Sequence, residues 1–214
     1  MGIFSHKFLQ GREMKKFLHV GCGPKNKEQT TVVFNSDEWE EVRLDIDESV
    51  KPDIIASLND LSVIEDGSYD AIFSSHNIEH LFPHEVDIAL EEFSRVLDNE
   101  GEIFITCPDM ARAAEEIIKG NFLGVLYESR AGPISAIDIL FGHRESLRNG
   151  QHHMAHRVGF TLKILLGLLK AHGFNTVAGI SDNMDLYVIG LIKKNSDKLA
   201  ESKLREHLDG LVKV

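Results

Sequence analysis

Gly21 and Gly23 flank Cys22 directly after an apolar run, Lys16 to Val20, and Pro24 follows. Lacking a Cβ, a glycine lets the chain turn sharply and lets backbone N–H groups approach a ligand at the start of the next helix. Alone, such a pair is equally the mark of a tight turn. Two familiar phosphate loops do not fit: Asn26 stands where the dinucleotide fingerprint wants a third small residue, and no Gly-Lys-Ser/Thr follows. Asp45, however, ends a second β-type run close to the roughly 20-residue offset at which an acid meets ribose hydroxyls. A carboxylate suits that task because it accepts from both hydroxyls and offers no competing donor. Asp47 is the spare candidate.

Histidine supplies the other chemistry. His76-Asn77-Ile78-Glu79-His80 has the H-x-x-E-H spacing of inverted zinc peptidases, which would put His76 and His80 on one face of a helix. The alternative is local hydrogen bonding by Glu79 and His80 that orients a loop. His152, His153, His156 and Arg157 form the densest titratable cluster, with His143 and Arg144 nearby. A metal would use His152 and His156 only if the segment is helical. A solvated or structural cluster, and substrate binding or proton transfer, are the other readings, since neutral histidine takes a proton near neutral pH.

These residues need a scaffold. Short β-type runs alternate with helical patterns, the signature of βαβ units: Lys16 to Val20, Glu41 to Ile46, Asp53 to Ala56, Tyr69 to Ser74 and Gly101 to Thr106. Val86, Ala89, Leu90, Phe93, Val96 and Leu97 share a stripe, which predicts an amphipathic crossover helix. Thr161 is a candidate N-cap for a helix that Gly173 stops, and two closing strands follow. From 111 to 159 this rhythm breaks after one helix, Ala111 to Lys119, and the segment reads as a helical cap on the substrate side. Residues 197 to 214 form a last helix, with Leu199, Leu204, Leu208 and Leu211 on one side. It would dock on the domain or pair two copies as a homodimer.

Composition narrows the classes. With 214 residues, 43% hydrophobic and 27% charged, the chain makes one ordinary globular domain, 1 to 214. A net charge of −11 argues against a nucleic-acid partner. Cys22 and Cys107 make no disulfide framework, which fits a reducing cytoplasm. The amino terminus lacks the apolar run of a signal peptide, and the longest apolar stretch, interrupted by Lys163 and Lys170, is too short for a bilayer. A soluble cytoplasmic protein with no membrane partner is the expectation.

Taken in order, HVGCGPK, RLDID, DGSYDAIFSSHNIEHL, EFSRVLDNEGEIFITCPD and LLKAHGF resemble the class I S-adenosylmethionine-dependent methyltransferases, in particular small members with a Glu-His-Leu motif. The resemblance covers about residues 16 to 195. It implies an α/β fold: a doubly wound, mostly parallel seven-stranded sheet with the last strand antiparallel, and S-adenosylmethionine bound over the strand ends. Position by position, it implies that Gly21, Cys22 and Gly23 present backbone to the methionine part. Asp45 would bind the ribose, Leu58 and Asn59 would line the adenine, and Ser75 and His76 would stand beside the methionine part. The chain departs from the pattern at Ser57, where an acid for the adenine amine is usual, and at Asp98 to Gly101, a different turn.

The implied reaction is methyl transfer to an oxygen, nitrogen or carbon of a small or medium-sized acceptor. His76 and His156 are the candidates for taking a proton, and His143, His152, His153 and Arg157 for contacting the acceptor. A cofactor-binding protein that transfers nothing and a zinc-dependent hydrolase are the competing classes.

Overall fold

The computed structural model describes residues 14–129 and 131–209. The amino-terminal segment and Leu211, both used in the sequence reading, lie outside them.

Seven strands form the main sheet: β1 (Lys15–Val20), β2 (Trp39–Asp45), β3 (Ile54–Ile55), β4 (Tyr69–Ser75), β5 (Leu97–Pro108), β8 (Thr176–Asp182) and β9 (Asp185–Leu191). Their order is β3-β2-β1-β4-β5-β9-β8. The first five pair in parallel, and β9 runs antiparallel to both β5 and β8. The order reverses at β1, where β4 takes up the other side, and open α/β sheets bind ligands beyond the carboxyl ends of strands at such a switch point.

Both faces of the sheet are covered, so neighbours along a strand enter different cores. Leu18, Ile72 and Ile103 join one cluster with Leu90 and Phe93, while Phe17, Phe73 and Phe104 join the other with Phe34 and Trp39. Each such large side chain, fully buried, contributes about 1.5–3 kcal/mol. The first cluster lies under α1 (Pro83–Val96) and α5 (Leu162–Ala171). Helix α1 starts at a proline, whose missing N–H costs nothing at that position. It buries Val86, Ala89, Leu90, Phe93 and Val96 as expected, whereas Leu97 is already the first residue of β5. Thr161 holds the N-cap position of α5 without a side-chain capping bond.

The final helix, α6 (Asp197–Leu208), lies on the second core and buries Ala200, Leu204 and His207. Leu199 is 40% exposed, so the buried stripe is turned from the one read in the sequence. His207 joins the buried stripe, where its Nδ1 meets Thr31 Oγ1 at 2.8 Å and its ring stacks on Phe104. Of the face expected to dock or to pair two copies, Leu204 is buried and Leu208 half-buried against the sheet of its own chain, while Leu199 faces outward.

The segment from 111 to 159 is not purely helical. It holds α2 (Met110–Ile118), a hairpin of β6 (Val125–Ser129) and β7 (Gly132–Ser135), then α3 (Ala136–Phe141) and α4 (Arg144–Arg148). Its two ends meet: Met110 N–H donates to Phe160 O at 2.9 Å, and Asp109 pairs with Phe160 in an isolated parallel bridge. An insertion that leaves and returns at one point adds a cap without disturbing the sheet. No helix among the described residues is long and apolar enough to cross a membrane.

Candidate functional site

The glycine turn and the acid of the second strand form one unit. Gly21 and Gly23 have φ of +58° and +53°, a region that disfavours any side chain. Cys22 N–H donates to Leu44 O at 3.1 Å, and Gly23 N–H donates to Asp45 Oδ2 at 2.7 Å. Asp45 Oδ1 accepts from Asp47 N–H at 2.9 Å. Each carboxylate oxygen thus keeps a lone pair for a further donor. Arg43 staples the turn from behind, donating to Gly23 O at 2.7 Å, Lys25 O at 2.9 Å and Lys51 O at 2.9 Å. Asp47 is exposed; its carboxyl is held below the ordinary range by Ser49, with a smaller contribution from His153 of the cap.

A Cβ on Gly21 would lie 2.2 Å from Asn77 Oδ1, while one on Gly23 would meet nothing within 4 Å. The turn is therefore packed on one side and open on the other, as a cradle for a ligand must be. Asn77 also donates from Nδ2 to Val20 O at 2.9 Å, tying the loop after β4 to the end of β1.

The proposed adenine side is less open. Leu58 is 9% exposed and belongs to the main core, and Asn59 is engaged by Ser57 Oγ at 2.5 Å and Glu85 Oε1 at 3.1 Å. Ser75 ends β4 and accepts from Thr106 Oγ1 at 3.1 Å.

His76 follows with φ +56°, its N–H donating to Thr106 O. Histidine is among the few non-glycine residues that tolerate this region. The ring sits between two carboxylates, with Nδ1 3.5 Å from Glu79 Oε1 and Nε2 3.7 Å from Asp185 Oδ2, and 41% of its side chain is exposed. Burial disfavours the imidazolium, but Asp185 and Glu79 outweigh it and raise the His76 pKa. A histidine that holds its proton at neutral pH is a charged donor, so this environment opposes the base role expected of it.

The H-x-x-E-H run does not form the expected face. Only Ile78–His80 is helical, as a single 3₁₀ turn, and His76 precedes it. Glu79 is buried, and its carboxyl ends below its ordinary pKa: burial pushes it up, and His76, His80 and His156 more than compensate. His80 is lowered by burial, with Glu79 opposing.

The cap closes on this turn. Arg157 and Val158 N–H donate to Glu79 O at 2.8 and 3.3 Å, and Arg157 Nη1 donates to His80 O at 2.8 Å. The Arg157 guanidinium lies 4.7 Å above the Phe82 ring. The histidine cluster of the sequence is therefore split. His156 turns inward, its ring 5.1 Å from that of His80, while His152 and His153 are exposed on a 3₁₀ turn that ends before His156. His143 bonds Ser146 Oγ at 2.9 Å, apart from the others. Sequence reasoning missed Asn77, Arg43 and Asp185. Asn77 alone carried a signal, its place inside the histidine run.

Residues 18–105 match the family described as a methyltransferase domain. The fold is similar to that of a SAM-dependent methyltransferase from Archaeoglobus fulgidus, 17% identical over 83% of this chain and 86% of that one, with a TM-score of 0.52. It is also similar to a protein of the SAM-dependent methyltransferases from Methanosarcina mazei, 14% identical over 86% and 95%, with a TM-score of 0.56. At these identities the likeness speaks for the fold. No curated protein matches the sequence.

Proposed function

We propose that this chain, whose residues 18–105 match a methyltransferase domain, is a class I S-adenosylmethionine-dependent methyltransferase that methylates a small or medium-sized organic acceptor held beneath the 111–159 cap. S-adenosylmethionine, when bound, supplies a methyl group already activated by its sulfonium. The protein's work is then to align the nucleophile and exclude water.

The open side of Gly23 and the spare lone pairs of Asp45 fit the cofactor's backbone-facing part and ribose. Ser75 and His76, at the end of the neighbouring strand, border the same space, and a charged His76 suits a carboxylate. Leu58 and Asn59 remain the adenine candidates by position.

The observation that carries the acceptor reading is the contact between cap and turn. Through Asn77, the residues 79 to 80 are linked to the end of β1, and through Arg157 and Val158 to the cap. These links support a cap that lies over the strand ends where the glycine turn is. His156 is its inward-facing group toward the acceptor, with Arg157 positioning the turn; His143, His152 and His153 would meet only an acceptor that reaches the cap's rim. A net charge of −11 favours a small molecule over a nucleic acid.

Calorimetry with S-adenosylmethionine, S-adenosylhomocysteine and NAD in parallel tests the cofactor. Binding of the first two and not the third is expected, and binding of neither overturns the reading. A metabolite screen with S-adenosylhomocysteine present, read as new hydrogen-exchange protection in 111–159, then tests the acceptor. A protein that binds cofactor and transfers nothing would give the first result without methylated product.

A further inference from the structure

Glu79, His80 and His156 each bring one ligand-type atom to a common point, the three atoms lying within 4.8 Å of one another. Two come from the turn after β4 and the third from the cap, 75 residues or more away along the chain, as the His80 to Ala155 contact is.

The two imidazoles are anchored in the same way. His80 Nδ1 faces Ala155 O at 3.2 Å, and His156 Nδ1 faces Ile139 O at 2.7 Å. A carbonyl can only accept, so each Nδ1 carries the hydrogen, which leaves Nε2 as the ring atom able to offer an electron pair to a metal. A carbonyl behind one ring nitrogen is the arrangement that fixes tautomer and orientation in metal-bound histidines.

The carboxylate is the independent observation. Glu79 has a side chain 2% exposed, and neither Oε1 nor Oε2 accepts a hydrogen bond. Its nearest cation, His76 Nδ1 at 3.5 Å, lies outside hydrogen-bond geometry. Buried carboxylate oxygens are ordinarily satisfied, and one that is not calls for a partner.

We propose that Glu79, His80 and His156 bind one divalent transition-metal ion, with Zn²⁺ the best match. Two imidazoles and one carboxylate suit zinc and poorly suit magnesium or calcium, which take oxygen ligands. Three protein ligands leave a fourth position open, the pattern of catalytic zinc sites, and the two histidines are only partly buried. This set differs from the His76 and His80 pair that the sequence spacing suggests. Binding of the ion stands apart from the methyl-transfer reading. Use of its open position to hold an acceptor oxygen, nitrogen or sulfur rests on that reading, and His156 then acts as a ligand in place of a base.

The test uses the full chain, stripped with chelator and titrated with Zn²⁺ against a chromogenic chelator, without cofactor. One zinc per chain is expected. Glu79→Gln and His156→Ala should each weaken binding by about 100-fold or more, beyond what loss of an outer-shell partner typically costs. The double variant His152→Ala, His153→Ala, in the same segment, should bind as the wild type does. Co²⁺ in the wild type should give visible absorption of low-symmetry coordination with nitrogen and oxygen ligands. If a variant fails to fold, wild-type stoichiometry and the cobalt spectrum still decide. No stoichiometric zinc in the wild type, or unchanged affinity in both folded variants, overturns the site. Separate calorimetry with S-adenosylmethionine tells failure of the metal site from failure of the methyltransferase reading.

Discussion

Gly23 donates its backbone N–H to Asp45 Oδ2 at 2.7 Å, so the turn that ends the first strand and the acid that ends the second are held as one cradle. Asp45 is thus part of the turn's frame, and in the proposed function it is also the acceptor that faces the ribose.

Asp45→Ala should weaken S-adenosylmethionine binding by about 10- to 150-fold, the equivalent of 1.5–3 kcal/mol for hydrogen bonds to a charged group. Asp45→Asn, which keeps one carbonyl acceptor, should fall between. Asp47→Ala should change affinity little, because Asp47 is exposed and bonds Ser49. Calorimetry on the three variants checks this, and equal losses at 45 and 47 would remove Asp45 from the ribose.

Gly21→Ala should destabilise the turn through two effects that can be separated. A side chain at φ +58° costs about 1–2 kcal/mol. The added Cβ also strikes Asn77 Oδ1, 2.2 Å away. Denaturant melts of Gly21→Ala, Asn77→Ala and the double variant form a cycle. The double variant should be more stable than the sum of the single losses predicts, because removing Asn77 relieves the collision and leaves the backbone cost. Additive losses would mean that the two residues do not meet.

The strands and α1 were legible because burial on both faces of a parallel sheet writes itself as short apolar runs, and a crossover helix as a stripe. That the glycine turn and Asp45 come together was legible because each ends a neighbouring strand at a characteristic spacing. The histidines were not. His152, His153 and His156 are close in sequence, yet one 3₁₀ turn sends the first two outward and leaves His156 facing His80. Likewise, Glu79 meets His156, and its neighbour His76 meets Asp185, only because the cap and the last strand bring those residues near. Arg43 reads as an ordinary strand residue until its four carbonyl partners, Gly23, Lys25, Val50 and Lys51, are in place.

Asp138 gives the cap an acid-sensitive anchor. Buried in α3, it accepts from Ser135 N–H at 2.9 Å and from Arg144 Nε at 2.8 Å, with Ser135 Oγ at 2.5 Å. Burial raises its pKa, but the bonds to Arg144 and Ser135 outweigh that and hold the carboxyl well below its ordinary 3.8. A folded-state value below the unfolded one means that the stabilisation is present above about pH 4 and is lost as the pH falls further. Asp138→Asn should therefore lower protection of the Ser135 and Arg144 amides by the equivalent of about 1.5–3 kcal/mol at neutral pH. The gap between wild type and variant should close below pH 4, as measured by hydrogen exchange corrected for intrinsic rates. A constant gap would assign the effect to shape and not to charge.

Cys22 stands in the middle of the cradle, where a thiolate would compete for an activated methyl group. It is 1% exposed, and burial pushes its thiol up to about 11, with Arg43 opposing and Asp45 and Glu41 adding to the rise. Cys107 is also fully buried, and its thiol is raised well above the ordinary range by burial, with Glu79 and Asp185 adding to the rise. Only the thiolate is a good nucleophile, so at pH 7.5 both should be inert. Iodoacetamide should leave the native chain unmodified over a time in which the denatured chain gains two adducts by mass spectrometry. Cys22→Ala should preserve cofactor binding within a few fold, since the residue serves the cradle through its backbone N–H to Leu44 O. Rapid native alkylation at Cys22, or methylation of its sulfur on incubation with S-adenosylmethionine, would show that the turn opens and that the thiol is available to the cofactor.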